Sequence, residues 1–243
     1  MTLIASHRGG SLEWVENSPS AFRGTAGLGV DQVEFDIHPT ADGETVVFHD
    51  ATLERTSNGY GEVVAQPLAA LQALVLTGTD GEHMLTLDAL CAVFAPTAIT
   101  LRMEVKSDAR HVPYPGLLAK ALEVVDAHQL RGRTVVTSFS ETVAAEAARI
   151  AGLAGAIWLV AVHRQAAFGV GGILEIAHAV GVGMVGIRCT QLDAAVLAEL
   201  RAGGLAVGAW AVNEAPDIAA MLALGVDVFT TDRPGLALRM RMG

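Results

Sequence analysis

Apolar residues along this chain fall into short runs separated by segments with helical spacing. Eight β-rich runs can be read: Leu3 to His7, Gln32 to Ile37, Ile99 to Val105, Thr134 to Phe139, Ala156 to Val162, Met184 to Cys189, Ala206 to Val212 and Val228 to Thr231. Between them, Ser18-Pro19 reads as an N-cap followed by proline at the first helical position. "LLAKALEVVDAH", "ETVAAEAARIAG", "AAVLAELRAGG" and "DIAAMLALG" carry apolar residues at helical intervals. A helix, glycine, strand unit recurs in "IAHAVGVGMVGI", "LRAGGLAVGAW" and "MLALGVDVFTT", as expected where a left-handed C-cap hands the chain to the next parallel strand. Eight strands alternating with helices over 243 residues predict an α/β fold, a (β/α)8 TIM barrel formed by residues 1–243 as a single domain. An open doubly wound sheet is the alternative.

One stretch breaks the alternation. Residues 40–85 contain "TADGETVVFHD" and "RTSNGYGEV", rich in turn residues, where a plain barrel needs only a loop and a helix. They predict an insertion between the second strand and the second helix. Its first part reads as a hairpin, "VEFDI", then Asp42-Gly43, then "TVVFH". A two-residue turn there would place Asp36 opposite His49, returning a histidine to the carboxylates of the second strand.

A hydrophobic content of 51%, 26 Gly and only 17% charged residues fit a globular protein with a buried, mostly parallel sheet. The longest uncharged apolar run, Ala151 to Val162, is too short for a membrane span, and no charged-then-apolar leader precedes His7. The expectation is a soluble, cytoplasmic protein without stable membrane insertion. Cys91 and Cys189 are far apart and lack a CxxC partner, so they are read as buried apolar residues. A net charge of -10 excludes nucleic acid or an anionic membrane as the expected partner. An anionic substrate needs local positive charge.

In "VEFDIH", Glu34, Asp36 and His38 alternate and share one face of the strand. "LRMEVKS" repeats the pattern with Arg102, Glu104 and Lys106. Carboxylates are costly inside a barrel but become ligands at the carboxyl ends of its strands, where barrel active sites lie. Three of them from two adjacent strands make a hard oxygen site for magnesium, calcium or manganese rather than zinc. Each residue also has a plainer reading. Glu104 with Lys106 makes an ion pair, His49 a structural histidine, Asn17 a helix cap, and Trp210 part of the core. His38 reads as a polar residue leaving the strand. Gly9 and Gly10 beside His7 and Arg8 are weak evidence for close phosphate approach.

Taken in order, "HRGG...ENS", "EFD", "TADG", "FHD", "RTSNGYGEV", "MEVKS", "TSFS", "WAVN" and "GVDVFTTDRP" resemble the glycerophosphodiester phosphodiesterase family over nearly the whole chain. The resemblance implies a barrel with a small insertion after the second strand, one divalent cation, and hydrolysis of a phosphodiester to glycerol phosphate and an alcohol. It places the catalytic histidines on His7 and His49, the metal carboxylates on Glu34, Asp36 and Glu104, and the phosphate-binding cations on Arg8 and Lys106. Asn17 matches the asparagine of the family's "ENT", here "ENS", and Trp210 a tryptophan near the substrate. The chain departs from the family in lacking Ile-Pro-Thr before the second helix. Because the insertion roofs the site in the family, the resemblance does not specify the leaving alcohol.

The implied mechanism uses the metal, Arg8 and Lys106 to neutralise the phosphodiester, with one histidine as base and the other as acid. The nucleophile is the neighbouring glycerol hydroxyl, giving a cyclic phosphate that water later opens, or water directly. Three rivals remain at this point. A lysophospholipase D keeps the chemistry and changes the substrate, and exposed apolar side chains beside the site would favour it. A barrel that binds a phosphorylated ligand without turnover is disfavoured by the intact histidines. A metal-dependent sugar isomerase or aldolase gives no reason for a His-Arg pair at the first strand.

Overall fold

The computed structural model describes residues 1–242. Eight parallel strands close on themselves: β1 (Leu3–Ser6), β2 (Gln32–Pro39), β5 (Thr100–Val105), β6 (Thr134–Ser138), β7 (Gly155–Leu159), β8 (Met184–Arg188), β9 (Ala206–Trp210) and β10 (Val228–Thr231). Closure is made by β1, which pairs with both β10 and β2. The barrel is thus the predicted one, and the open sheet is excluded by that double pairing.

Helices α1 (Pro19–Leu28), α3 (Leu87–Phe94), α4 (Leu117–Ala127), α5 (Glu141–Ala148), α6 (Val162–Val180), α7 (Ala194–Ala202), α8 (Ala215–Leu224) and α9 (Pro234–Met242) alternate with the strands. Ser18 caps α1 as its sequence suggests: its hydroxyl accepts from the Ala21 N–H at 3.1 Å, with Pro19 in the first turn. Outward residues of the strands pack on these helices, as Phe35, Leu101 and Met103 do around Phe22 and Phe94. Inside the barrel, Val135, Ile157 and Leu159 form a small apolar plug, with Met184 and Trp210 packed against it. Above and beside that plug the inward residues of β2 and β5 are charged. Register pairs Glu34 with Arg102 and Asp36 with Glu104, so two layers of ionic side chains line the interior.

Several strands end earlier than the apolar runs suggest. β1 stops at Ser6 and residues His7–Gly9 form a 3-10 turn; β7 stops at Leu159, and Val162 already opens α6. Ala211, at φ 60°, ends β9. After β7 and β9 the apolar run continues into the loop at the carboxyl end of the strand, where Val160 and Val212 are buried by tertiary packing instead of by the ladder.

The insertion adds β3 (Thr45–Val47), the short α2 (Leu68–Ala73) and β4 (Leu85–Thr86), with β3 and β4 antiparallel on the extension of β2. It has its own core of Val46, Phe48, Leu53, Val63, Leu71, Leu76 and Met84. The hairpin register differs from the two-residue expectation. Ile37 pairs with Val47 and His38 with Val46, so Asp36 is not opposite His49; its carbonyl accepts from the Phe48 N–H at 3.1 Å. The cause is a three-residue loop. Thr40 pairs with Glu44, and Gly43 takes φ 83°, a left-handed conformation that glycine adopts without steric cost. A one-residue slip turns every side chain over, so Phe48 goes into the insertion's core. His49 reaches the barrel mouth because the chain has already left the ladder.

Candidate active site

The turn after β1 sets the first part of the site. Arg8 sits at φ 50° and Asn17 at φ 54°, both in the left-handed region that is uncommon for non-glycine residues. Gly9, at φ 77°, lies so close to α1 that an added Cβ would meet the Ala21 Cβ at 2.8 Å. Its role is therefore close packing of the turn on α1, a sufficient reason for glycine there without any phosphate.

From this turn the Arg8 N–H donates to Glu34 Oε2 at 2.9 Å, while its guanidinium lies 3.5 Å from Asp36 and 3.1 Å from Glu16. The Asn17 amide donates to Asp36 Oδ2 at 2.9 Å, so this residue supports a carboxylate and leaves the helix cap to Ser18. The Lys106 ammonium stands between Asp36 at 2.9 Å and Glu104 at 2.6 Å. Glu34, Asp36 and Glu104 are all buried, and each offers an oxygen within 4.8 Å of the others.

Electrostatics separates these acids. Burial, reinforced by Asp36, pushes the Glu34 carboxyl up to about 7. Burial also opposes ionisation of Asp36, but Lys106, His49 and Arg8 outweigh it and hold that carboxyl far below the usual range. Arg102, beneath them, is pulled down to about 10 by burial despite the attraction of Glu34 and Glu104. Glu34 Oε1 and Asn17 Oδ1 are buried with no hydrogen-bond partner among the described residues, and Asp36 Oδ1 meets only the Lys106 ammonium. Unpaired buried acceptors beside three carboxylates fit a hard divalent cation, which takes oxygen ligands of this kind.

Both histidines are held by a carboxylate. His7 Nδ1 lies 2.6 Å from Asp232, which is also bound by Ser11 and Asn213, and His7 Nε2 is 3.9 Å from Glu34. His49 Nδ1 lies 2.5 Å from Asp50, and its carbonyl meets Nε2 of His38 at 3.1 Å. His38 is thus a buried strut that also touches the Tyr114 hydroxyl at 3.2 Å. Burial lowers the pKa of His7, but Glu34 and the hydrogen bond to Asp232 raise it overall. Burial lowers that of His49, and Lys106 and Arg8 keep it low against the pull of Asp36.

His7, Arg8, Glu34, His49, Glu104, Lys106 and Trp210 line one pocket of about 290 Å³ at the carboxyl ends of the strands. Asp36 and Asn17 lie directly behind it. The Trp210 ring stands edge-on to Phe139 at 5.8 Å with the Arg188 guanidinium over it at 5.6 Å, and its buried Nε1 has no partner among the described residues. It is half-buried at the pocket wall rather than part of the helix-facing core.

Four residues to which the sequence pattern assigns no role organise the rest: Glu16, Asp50, Arg55 and Asp232. Arg55 forms forked pairs with Glu16 (2.8 and 2.8 Å) and Asp50 (2.5 and 2.9 Å). Through Glu16 it reaches Arg8, and through Asp50 it reaches His49. The only sequence signals are the charged positions of "ENS", "FHD" and "RTSNGYG" and a carboxylate just after the last strand. Arg55→Lys keeps the charge but cannot make two forks. It is expected to lower kcat/KM about tenfold by misplacing both groups, with Arg55→Met lower still. Unchanged steady-state parameters in Arg55→Met would detach the network from the reaction.

A closed barrel with paired histidines, a buried carboxylate cluster and cations at the carboxyl ends of its strands is the architecture of an enzyme acting on an anionic substrate. The chain matches the model of the glycerophosphoryl diester phosphodiesterase family over residues 7–236, and it belongs to that family. A glycerophosphodiester phosphodiesterase of Caldanaerobacter subterraneus is 33% identical over 144 residues, 57% of this chain and 58% of that protein. A crystal structure of a putative glycerophosphoryl diester phosphodiesterase from Agrobacterium tumefaciens is 37% identical, with a TM-score of 0.97, covering 100% of this chain and 98% of that one. A phosphodiesterase of Oleispira antarctica, solved in complex with the product sn-glycerol-3-phosphate, is 23% identical with a TM-score of 0.84, covering 100% and 98%, and shares the fold. No helix among the described residues is long and apolar enough to cross a membrane.

Proposed function

We propose that this chain hydrolyses glycerophosphodiesters to glycerol phosphate and an alcohol, using one divalent cation, magnesium or calcium with manganese as a third candidate, and a histidine acid/base pair. The observation that carries the reading is the meeting, around one pocket, of two carboxylate-held histidines, two cations and three buried carboxylates, Glu34 and Glu104 in its wall and Asp36 behind it. Glu34, Asp36 and Glu104 would hold the cation. When bound, it supplies positive charge to the non-bridging oxygens of the phosphodiester.

The remaining steps belong to the chain's own groups. Arg8 and Lys106 add positive charge beside the phosphate as negative charge develops on it. Asp232 and Asp50 each engage Nδ1 of their histidine, which leaves both Nε2 atoms to exchange protons with the substrate. One takes the proton of the nucleophile and the other protonates the departing alkoxide. Trp210 and Asn17 complete the substrate side, Trp210 as a pocket wall and Asn17 by fixing Asp36. The protein acts as a single cytoplasmic barrel domain on a small-molecule substrate.

The first nucleophile in this reading is the glycerol 2-hydroxyl, because a tethered hydroxyl is already oriented beside phosphorus whereas water must be captured and aligned. A 2-deoxy analogue of the same diester should bind with similar strength and hardly react, and phosphorus NMR of the parent should show a transient cyclic phosphate. Equal rates for the two substrates would leave water as the nucleophile.

A further inference from the structure

Arg102 is one of the largest fully buried side chains of the protein, at 1% exposure, and it stands inside the barrel in the wall of the active-site pocket. Strand alternation sends Leu101 and Met103 to the helix-facing side and turns Arg102 inward. Its in-register neighbours are Glu34 of β2 on one side and Val135 of β6, part of the apolar plug, on the other. The spacing of a parallel sheet sets the backbone of Glu34 about 4.8 Å away across the ladder and that of Glu104 about 6.6 Å further along β5.

The guanidinium makes no ion pair with either acid among the described residues, and its Nη1 is buried without a hydrogen-bond partner. The other two cations of the site are placed differently. Lys106 meets Asp36 and Glu104 at 2.9 and 2.6 Å, and Arg8 reaches Asp36 at 3.5 Å. Glu34 receives only the Arg8 backbone N–H at 2.9 Å and the His7 imidazole at 3.9 Å, so no permanent cation touches it. A guanidinium set between an apolar plug and a pocket is costly to bury, and the field of Glu34 and Glu104 is what offsets that cost. Charges act on one another more strongly at such distances in a protein interior than in water. Through the same interaction, the charge of Arg102 opposes any further cation at those carboxylates.

We propose that Arg102 is a resident counter-cation of the three-carboxylate site: it balances Glu34 and Glu104 in the metal-free protein and holds divalent-cation affinity down, so that the metal is an exchangeable one. The inference rests on the assignment of Glu34, Asp36 and Glu104 to a cation and is independent of which phosphodiester is cleaved. Because Arg102 acts by charge across a distance, lysine can replace it, unlike Arg55, whose two forks need the guanidinium plane.

The test is calorimetric titration of magnesium, calcium and manganese into the metal-free unsubstituted protein and its Arg102→Met and Arg102→Lys variants. Each cation that the unsubstituted protein binds should bind Arg102→Met about fivefold or more tightly, and Arg102→Lys within about twofold of the original affinity. Without metal, Arg102→Met should melt at a lower temperature than the unsubstituted protein, and saturating cation should narrow the gap. Weaker cation binding by Arg102→Met would make Arg102 a scaffold for the carboxylates, and unchanged binding, or identical shifts in the Met and Lys variants, would leave its charge without effect; each overturns the proposal. A loss of inorganic phosphate affinity in Arg102→Met with no change in cation affinity also overturns it, by making the arginine an anion ligand. If Arg102→Met does not fold, thermal melting of Arg102→Gln against cation concentration decides: a larger rise than in the unsubstituted protein supports the proposal, and an equal or smaller rise refutes it. An unsubstituted protein that binds none of the three cations would refute the metal assignment itself, whereas binding that the variants leave unaltered refutes only this inference.

Discussion

Replacing His7 or His49 with alanine is expected to lower kcat by about 10²-fold or more while leaving divalent-cation affinity largely intact. Neither imidazole belongs to the three-carboxylate cluster, and each is oriented by its own carboxylate, Asp232 or Asp50. Proton transfer should therefore fail while the carboxylate cluster, Arg8 and Lys106 remain in place. The comparison needs single-turnover kinetics beside a metal titration of the same proteins. A loss below tenfold, or an equal loss of metal binding, would show that the histidines do not form an acid/base pair.

Exhaustive chelation is expected to abolish turnover, and Glu34→Gln, Asp36→Asn and Glu104→Gln should each raise the metal concentration needed for half-maximal rate by about tenfold or more. Losing one anionic oxygen from a three-carboxylate site weakens its attraction for a cation. Asp36 carries a further cost, since Lys106, Arg8 and Asn17 would lose a shared acceptor in a buried place. The Glu34 carboxyl, raised to about 7 by burial and Asp36, adds a pH dependence with a definite sign. A cation binds the deprotonated carboxylate, so apparent metal affinity should fall as pH drops below about 7 and level off above it. In Glu34→Gln this slope should flatten. Undiminished activity after chelation would remove the metal from the mechanism.

Much of the architecture is legible in the sequence because eight near-continuous apolar runs can be buried on both faces only in a parallel sheet covered by helices. Ser18-Pro19 and the glycines that end α6 and α8 mark boundaries through local physics that tertiary contacts do not override, while after α7 the left-handed glycine is Gly204, one residue past the cap. Strand ends are less legible: Val160 and Val212 are apolar for reasons of loop packing. The hairpin register is ambiguous by one residue because "ADG" supports either a two- or a three-residue loop. The longer loop is chosen by Thr40, whose hydroxyl accepts from the Glu44 N–H at 2.9 Å and donates to Asp42 at 2.6 Å.

The alternation of Glu34, Asp36 and His38, and of Arg102, Glu104 and Lys106, marks the site's charged face through strand periodicity alone. The Arg55 network has no such periodicity. Its members come from the segment between the turn after β1 and α1 and from the loop that follows β3, and only the fold brings Glu16, Asp50 and Arg55 together. His38 is similarly opaque, since its partners are a backbone carbonyl and a tyrosine 76 residues away.

The central claim is that this chain cleaves glycerophosphodiesters at the pocket between His7, His49 and the Glu34, Asp36, Glu104 cluster. Phosphorus NMR of glycerophosphocholine mixed with the purified protein tests it directly, run separately with magnesium, calcium and manganese. The diester resonance should give way to glycerol phosphate in at least one metal and persist in the His49→Ala protein under the same conditions. A diester resonance that persists with the unsubstituted protein in all three metals, or that disappears equally fast with His49→Ala, would contradict the account.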